Sequence, residues 1–566
     1  MISPVQWATA KLETYLRRDL ASDLGAGLTG ATAGVPQAMA FALVAGISPI
    51  YGLYTAFVST IVSSLVGSST FMTTGPTNAL AVVVGSTLAP FSTSGDLLPR
   101  LVTLTFLVGV IQLGLGLLQL GGLARFVSTA VMTGFVTGAA LLVLLGQLGN
   151  LTGIPTGNHD RILLQTGDLI AHLTHLHAPT FAAGVITMSL ILLLHKTRFT
   201  SYATLIAITV TGVGIALFGG AAHGVTLVRD LSRIPHGLPG PRLPQPALMG
   251  DLFSAALAIA VLGLVQSAAL AHSIKEPDGR TPDASREFVG QGLGNLVGAL
   301  FQSMPAGGSL SRTAVNINAG ARTRWANVWA GVFVAPIMLL FGSLVERIPL
   351  AALAGHLIVA AGSLISLPRL RFVWRASWAG RWAMTATFAS TLILPLQYSV
   401  YVGVFLSLSL YVHQSSRVMI VQLEPVGDNL FREVPLSQTL PDGQPVILSI
   451  HGNLFFAAAR DLEQRLPSPN GTRCPVVILR LRGDTLLAGT GASMLATYAE
   501  RLRAQGGKLI LCGVEKPVLE TLKRTGTLDK VGGENVFPAS ELLLASMQAA
   551  LEYAQTWLAG QSAGVT

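Results

Sequence analysis

Apolar stretches recur along the first three-quarters of the chain, at about residues 23–45, 49–67, 72–88, 98–119, 126–149, 179–195, 200–218, 252–273, 287–303, 308–321, 325–345, 349–366, 382–396 and 397–413. Runs of this length and polarity predict membrane helices, fourteen in all, with only Pro395 separating the last two. The third and tenth are different. FMTTGPTNALAV from Phe71 and PAGGSLSRTAVN from Pro305 open with Gly, Pro, Ser and Thr and then continue for about half a bilayer of helix. Non-helical backbone survives at membrane depth only where protein or a water-filled cavity satisfies it, and paired broken segments point to a midplane site. Their helix N-termini carry free N–H groups and positive dipole ends, so the site favours an anion.

After residue 417 the period changes. PVILSI from Pro445, CPVVILRL from Cys474 and KLILCGV from Lys508 read as strands, alternating with helices near 456–466, 490–505, 515–525 and 539–556. This predicts a sheet of βα units covered by helices on one side, an independent domain over 418–556, and a disordered end at 557–566. The sequence shows no Walker, nucleotide-fingerprint or metal-ligand motif there, so no cofactor or metal is expected. Cys474 and Cys512 read as core thiols. HLTHLH from His172, with His159, reads as a solvated loop, and His356 as a packing histidine.

Composition agrees with a polytopic membrane protein: 11% of residues are charged, 51% hydrophobic, and mean hydropathy is +0.59. Residues 1–420 hold 23 basic against 13 acidic residues, while residues 421–566 hold 13 against 14. The basic excess therefore belongs to membrane topology, and no nucleic-acid partner is expected. With the N-terminus inside, fifteen Lys and Arg residues fall in inner loops against six outside. Both termini and the tail domain are then cytoplasmic. The first twenty residues lack a signal-peptide core and read as an interfacial amphipathic helix.

Seven spans precede residue 220 and seven follow 250, so the second half is inverted relative to the first. GVPQAMA in span one resembles LVQSAA in span eight and aligns Gln37 with Gln266. With the broken segments, this predicts an inverted repeat over about 15–220 and 250–413 within a membrane domain of residues 1–417.

PQAMAFA from Pro36, GISPIYGLY from Gly46, GPTNALAV in span three and SRTAVNINAGA from Ser311 together resemble the SulP anion transporters, the solute carrier 26 family, bacterial members above all. The tail, through Gly513-Val514 and LKRTGTLDK from Leu522, resembles a STAS domain (sulphate transporter and anti-sigma antagonist). The resemblance implies seven-plus-seven repeats divided into core and gate domains, and a homodimer in the inner membrane. It also implies secondary active transport of sulphate, bicarbonate or C4-dicarboxylates such as fumarate, often coupled to protons or sodium, and no enzymatic activity.

Arg312 is the strongest single residue, because an arginine inside a span costs about 2.5–3.5 kcal/mol on insertion scales. It is expected either to touch the anion or to set the potential of the cavity. Ser309 and Ser311, with Gly308, supply donors beside it, and Thr74, Thr77 and Asn78 the opposing polar wall. The resemblance implies that Gln37 and Phe41, one helical turn apart, line the pocket. Gln266 departs from the family, many of whose members carry Glu in this part of span eight. A neutral amide binds no proton at physiological pH, which leaves simple carboxylate coupling in doubt. Proton-linked uptake would then bring the proton on the substrate or on a less obvious group such as His356. A nucleobase-type carrier would want span carboxylates that this chain lacks. A channel, or a receptor or scaffold signalling through the tail, remains as an alternative. In the tail, Ala488-Gly489-Thr490-Gly491 stands where anti-sigma antagonists have Asp-Ser-Ser/Thr-Gly, so a phosphorylation switch is not expected.

Overall fold

The computed structural model describes residues 13, 15–91, 97–122, 127–154, 162–197, 199–218, 224–231, 237–274, 276, 278–415, 418–427, 430–452, 454, 456–481, 487–542 and 544–563. Residues 1–12 of the N-terminal amphipathic segment, and His159, lie outside these. The chain divides into two compact units, Met1–Leu408 and Ser409–Thr566, so the division falls inside the last apolar helix.

Among the described residues, fourteen helices match the apolar stretches, the last of them shared between the units: α1 Leu20–Val44, α2 Pro49–Val66, α3 Asn78–Leu88, α4 Leu97–Leu117, α5 Thr129–Gly146, α6 Ala178–Leu194, α7 Ala203–Leu217, α8 Met249–Ser273, α9 Ala284–Leu300, α10 Leu310–Asn318, α11 Trp325–Val345, α12 Leu350–Leu364, α13 Trp378–Ile393 and α14 Leu396–Ser415. Seven segments among the described residues are long and apolar enough to cross a membrane on length and composition alone. Local signals set the boundaries. Gly46, at φ 66°, ends α1, and Ser48 caps α2 ahead of Pro49 at its first turn. The α2 helix loosens to π-helix over Thr55–Ser59, beside the site described below.

The helices form two bundles. In one, α1 packs on α11, α4 on α8 and α9, and α2 on α9 and α11. In the other, α5 packs on α12 and α13, and α6 on α7 and α12. Shifting every number by seven maps α1·α11 onto α8·α4, α4·α9 onto α11·α2, and α5·α13 onto α12·α6. The packing thus carries the repeat that the Gln37/Gln266 alignment suggests. The α4–α9 contact is close because a Cβ on Gly109 would come within 2.7 Å of the Leu296 nitrogen, as small-residue interfaces between membrane helices allow.

In the second unit, six strands order as β4-β3-β5-β6-β7-β8, where β3 is Met419–Pro425, β4 Phe431–Val434, β5 Pro445–His451, β6 Val476–Arg480, β7 Lys508–Val514 and β8 Val536–Pro538. The run β5 to β8 is parallel, and β3 and β4 are antiparallel additions. Two expectations need correction. Helices cover both faces: α15 Phe456–Arg465, α16 Gly489–Ala504 and α17 Lys516–Arg524 lie on one, and α18 Ala545–Ala563 on the other. The strands are apolar at successive positions, as burial on both sides demands. The chain end is also helical to Ala563, because Met547, Ala550, Ala554 and Leu558 form a stripe on the second face of the sheet. Residues 557–563 are therefore folded rather than disordered.

Candidate functional site

The two broken segments meet. Thr74–Gly75 (β1) pairs antiparallel with Gly307–Gly308 (β2), Thr74 opposite Gly308 and Gly75 opposite Gly307. The Ser309 N–H extends the bridge by donating to the Thr73 carbonyl at 2.9 Å. Helices α3 and α10 leave this bridge in opposite directions, so their N-termini face each other across it. Each is capped by a hydroxyl: Thr77 accepts from Leu80 N at 3.4 Å, and Ser309 from Arg312 N at 3.4 Å. With 11 and 9 residues, neither helix crosses a bilayer alone.

Polar side chains from whole helices complete the hydrogen bonding of these extended segments. Asn327 of α11 donates to the Met72 carbonyl at 3.1 Å, and Thr60 of α2 to the Thr74 carbonyl at 2.7 Å. Thr313 accepts from Thr73 N at 3.0 Å. On the other strand, Asn295 of α9 clasps Ala306 through both amide atoms, at 2.8 and 2.9 Å, and donates to Gln112 of α4 at 2.7 Å. Thr55, in the π-helical turn, accepts from Met304 N at 2.8 Å. Neither asparagine stands among the sequence candidates. Their signal was available, as amides in the middle of apolar spans.

Gln37 of α1 and Gln266 of α8 occupy corresponding stations on opposite half-helices. Gln37 donates to Ser311 Oγ at 2.9 Å, beside the α10 cap, and Gln266 Oε1 accepts from the Thr77 hydroxyl at 3.3 Å, at the α3 cap. Ser311 is exposed, Gln37 and Gln266 are partly so, and Thr74, Thr77, Asn78 and Ser309 are buried. Phe41 lies 4% exposed in the apolar core of the unit and lines neither cavity described below.

Arg312 is the only buried Lys or Arg among the described residues, 7% exposed. Its Nε donates to Gln37 Oε1 at 3.3 Å and its Nη2 to the Gly34 carbonyl at 3.1 Å, and no carboxylate among the described residues pairs with it. The guanidinium occupies the space a side chain at Gly75 would need. A cavity of about 20 Å³, room for one water, lies between Arg312, Thr60, Thr73, Asn316 and Asn327. In this conformation the charge is held inside the first bundle rather than on an exposed surface.

A second cavity, of about 700 Å³, opens between the bundles. It runs from Thr129 and Thr133 on α5 to Val265 and Ala268 on α8, flanking Gln266, and to Asp283 and Ser285 at the start of α9. The buried carboxylates serve loops: Asp23 accepts from Arg322 N at 2.8 Å and Thr323 N at 3.1 Å, and Glu287 from Ser68 N and Ser69 N, both at 2.5 Å. His356 Nδ1 lies 3.4 Å from Thr204 Oγ1, while its Nε2 has no hydrogen-bond partner, so it is only half satisfied. His172 turns back to the Asp168 carbonyl at 2.9 Å, His177 to Thr180 at 2.7 Å, and no metal-holding cluster forms among the described residues.

Residues 20–387 match the model of the sulfate permease family, and residues 437–542 that of the STAS domain. The chain belongs to the sulfate permease family. It is therefore a multi-pass membrane anion transporter and not an enzyme. This permease is 27% identical over 532 residues to the putative sulfate transporter YvdB of Bacillus subtilis, covering 94% of this chain and 98% of that one. Its fold is similar to that of the murine solute carrier 26 family member A9 anion transporter in the inward-facing state, with a TM-score of 0.84 at 22% identity over 95% of this chain and 92% of the other. It is also similar to the transmembrane domain of the cyanobacterial bicarbonate transporter BicA, with a TM-score of 0.60 at 24% identity over 68% of this chain and 97% of that one. In the STAS domain, Thr490 falls in the first turn of α16.

Proposed function

We propose that this permease is a proton-linked symporter of small oxyanions or carboxylates, with sulphate, bicarbonate and C4-dicarboxylates such as fumarate as the substrate class. The carrying observation is the convergence of two capped helix N-termini on one bridge beside Arg312, with no carboxylate in contact. The partial charges of both N-termini and the full charge of Arg312 then add at one place. Gln37, Ser309 and Ser311 supply donors from one repeat station, and Thr74, Thr77, Asn78 and Gln266 the facing wall. Phe41, one turn along α1 from Gln37, is buried in the core and supplies no polar contact.

Movement of the α1–α4/α8–α11 bundle against the other exposes the bridge to alternate sides. The large cleft borders the α8–α9 loop, which the charge distribution assigns to the inside, so this conformation is read as open to the cytoplasm. The STAS domain and both termini then lie in the cytoplasm of a bacterium, with the spans in its inner membrane and the chain paired as a homodimer. With no acidic side chain at the bridge, the coupled proton travels on the substrate or through His356. Sodium is disfavoured because a hard cation wants anionic oxygen ligands.

Uptake of labelled sulphate, bicarbonate and fumarate into liposomes tests this, with sodium replaced by choline over pH 5–8. Uptake should be sodium-independent and strengthen as external pH falls. Arg312→Ala should lower it by about a hundredfold or more, the scale on which a preorganised charge acts, with folding intact. Full flux in Arg312→Ala, strict sodium dependence or a pH-flat rate would each defeat part of the proposal.

A further inference from the structure

Between α12 and α13 lies a helix that no transport role accounts for, Leu367–Ala376. It is capped by Ser366, which accepts from Arg369 N at 3.4 Å, and a single extended residue, Ser377, separates it from α13. Its 10 residues reach about 15 Å, too short to cross a bilayer. Val373 is the only fully buried side chain on it and anchors the helix among its neighbours α5 and α13.

The rest of the surface combines large aromatics with one sign of charge. Phe372 is 71% exposed, Trp374 52% and, at the start of α13, Trp378 72%. Arg369, Arg371 and Arg375 are exposed around them, and neither Arg371 nor Arg375 makes an ion pair among the described residues. Arg381 stacks back over the Trp374 ring at 5.9 Å. The chain carries no acidic residue between Glu346 and Glu424. A short amphipathic helix with Trp and Phe beside unneutralised arginines matches the boundary between acyl chains and anionic headgroups. Arg371 and Arg375, one turn apart, sit between Phe372 and Trp374, so guanidinium and ring reach the same lipid at different depths.

We propose that Leu367–Ala376, with Trp378, is an anionic-phospholipid binding surface: Arg371 and Arg375 hold lipid phosphates while Phe372, Trp374 and Trp378 seat in the acyl boundary. The proposal requires a membrane surface here but neither a particular substrate nor a particular leaflet. Because Ser366 and Arg369 also line the large cleft, bound lipid would steady one wall of it.

Full-length protein in nanodiscs of mixed phosphatidylcholine and phosphatidylglycerol provides the test, with either lipid brominated in its tails. Trp374→Phe with Trp378→Phe identifies the quenched signal. Brominated phosphatidylglycerol should quench these rings more strongly than brominated phosphatidylcholine at equal mole fraction, and 1 M salt should weaken the preference. Arg371→Gln with Arg375→Gln should lower it by at least about fivefold, while the double lysine variant retains it. Equal quenching by both lipids, or a preference untouched by the glutamine pair, overturns the proposal. So does absence of quenching, which would mean that water or a second copy of the chain covers this face. Glycerol phosphate abolishing the preference would assign the arginines to free anions instead. If the glutamine variant does not fold, the salt dependence of the wild-type preference decides.

Discussion

The half-helices α3 and α10 use one backbone device for two purposes. Both follow a two-residue strand, both are capped by a hydroxyl, and both receive a glutamine from the opposite repeat. Yet α3 carries no charge and is buried over most of its length, whereas α10 carries Arg312 and leaves Leu310, Ser311 and Ala314 exposed. The repeat therefore supplies a symmetric frame, and one side chain makes it electrostatically one-sided. A symmetric pair of N-termini would hold an anion equally from either station. On the proposed reading, the full charge at the α10 station would give binding a preferred end.

The two half-helices differ most at the glycines of the bridge. At Gly75 a methyl group would overlap the Arg312 guanidinium, whereas at Gly308 it would meet Met72 Sδ and Ser267 Oγ, each at 3.2 Å. Those are ends of side chains that can yield. Gly75→Ala should therefore displace the charge and cut uptake by about a hundredfold, while Gly308→Ala costs less than about fivefold. Liposome flux on both variants, normalised to folded protein, checks this. Equal losses would mean that bridge geometry, not the placement of Arg312, controls transport.

Gln37→Glu attacks the same charge without disturbing the backbone. The new carboxylate would sit where Gln37 Oε1 now accepts from Arg312 Nε at 3.3 Å, forming an ion pair inside the bundle. The station becomes neutral overall, and substrate affinity in a binding titration should fall by about fiftyfold. Unchanged affinity would show that the field of Arg312 does not reach the anion.

The frame was legible because membrane helices announce themselves by length and polarity, and because Gly, Pro, Ser and Thr at Phe71 and Pro305 contradict an unbroken span. The Gln37/Gln266 pairing was legible from a few aligned residues. The bridge itself was not. Two segments more than two hundred residues apart meet as strands only because Asn295, Asn327, Thr55 and Thr60 satisfy their backbone. Each of those residues taken singly reads as ordinary interhelical hydrogen bonding. In the STAS domain the three central strands stood out as apolar runs, while β3, β4 and β8 were hidden by exposed or half-buried alternation or by brevity. The stripe of α18 was present in the sequence but lies close enough to the chain end to pass for a tail.

The supporting asparagines should show smaller and more nearly equal effects. Asn295→Ala removes the partners of three groups, the N–H and C=O of Ala306 and Oε1 of Gln112, whereas Asn327→Ala removes those of two, the Met72 carbonyl and the Thr73 hydroxyl. Each unsatisfied buried group costs about 1–3 kcal/mol, so Asn295→Ala should lower the melting temperature more than Asn327→Ala. The reverse order would mean that the two strands are held by something other than these amides.

The mildest change tests the neutral station. Gln266→Glu places a carboxyl next to Thr77 at the α3 cap, where Oε1 now accepts a hydroxyl at 3.3 Å. No positive side chain contacts Gln266 there, so this carboxylate, unlike one at position 37, is not neutralised. When ionised it repels the substrate; when protonated it resembles the amide it replaces, with a hydroxyl donor in place of N–H. A carboxyl with an ordinary value near ~4.3 is mostly ionised at neutral pH, so uptake by the variant should trail the wild type by about fivefold at pH 7.5. As pH falls through the carboxyl's own titration the two rates should converge, which makes the pH dependence of the variant steeper than that of the wild type. Flux curves taken from pH 8 down to about 3.5, through that titration, measure the difference. A variant that runs parallel to the wild type would place Gln266 outside the anion's reach, and the site would then belong to the α10 station alone.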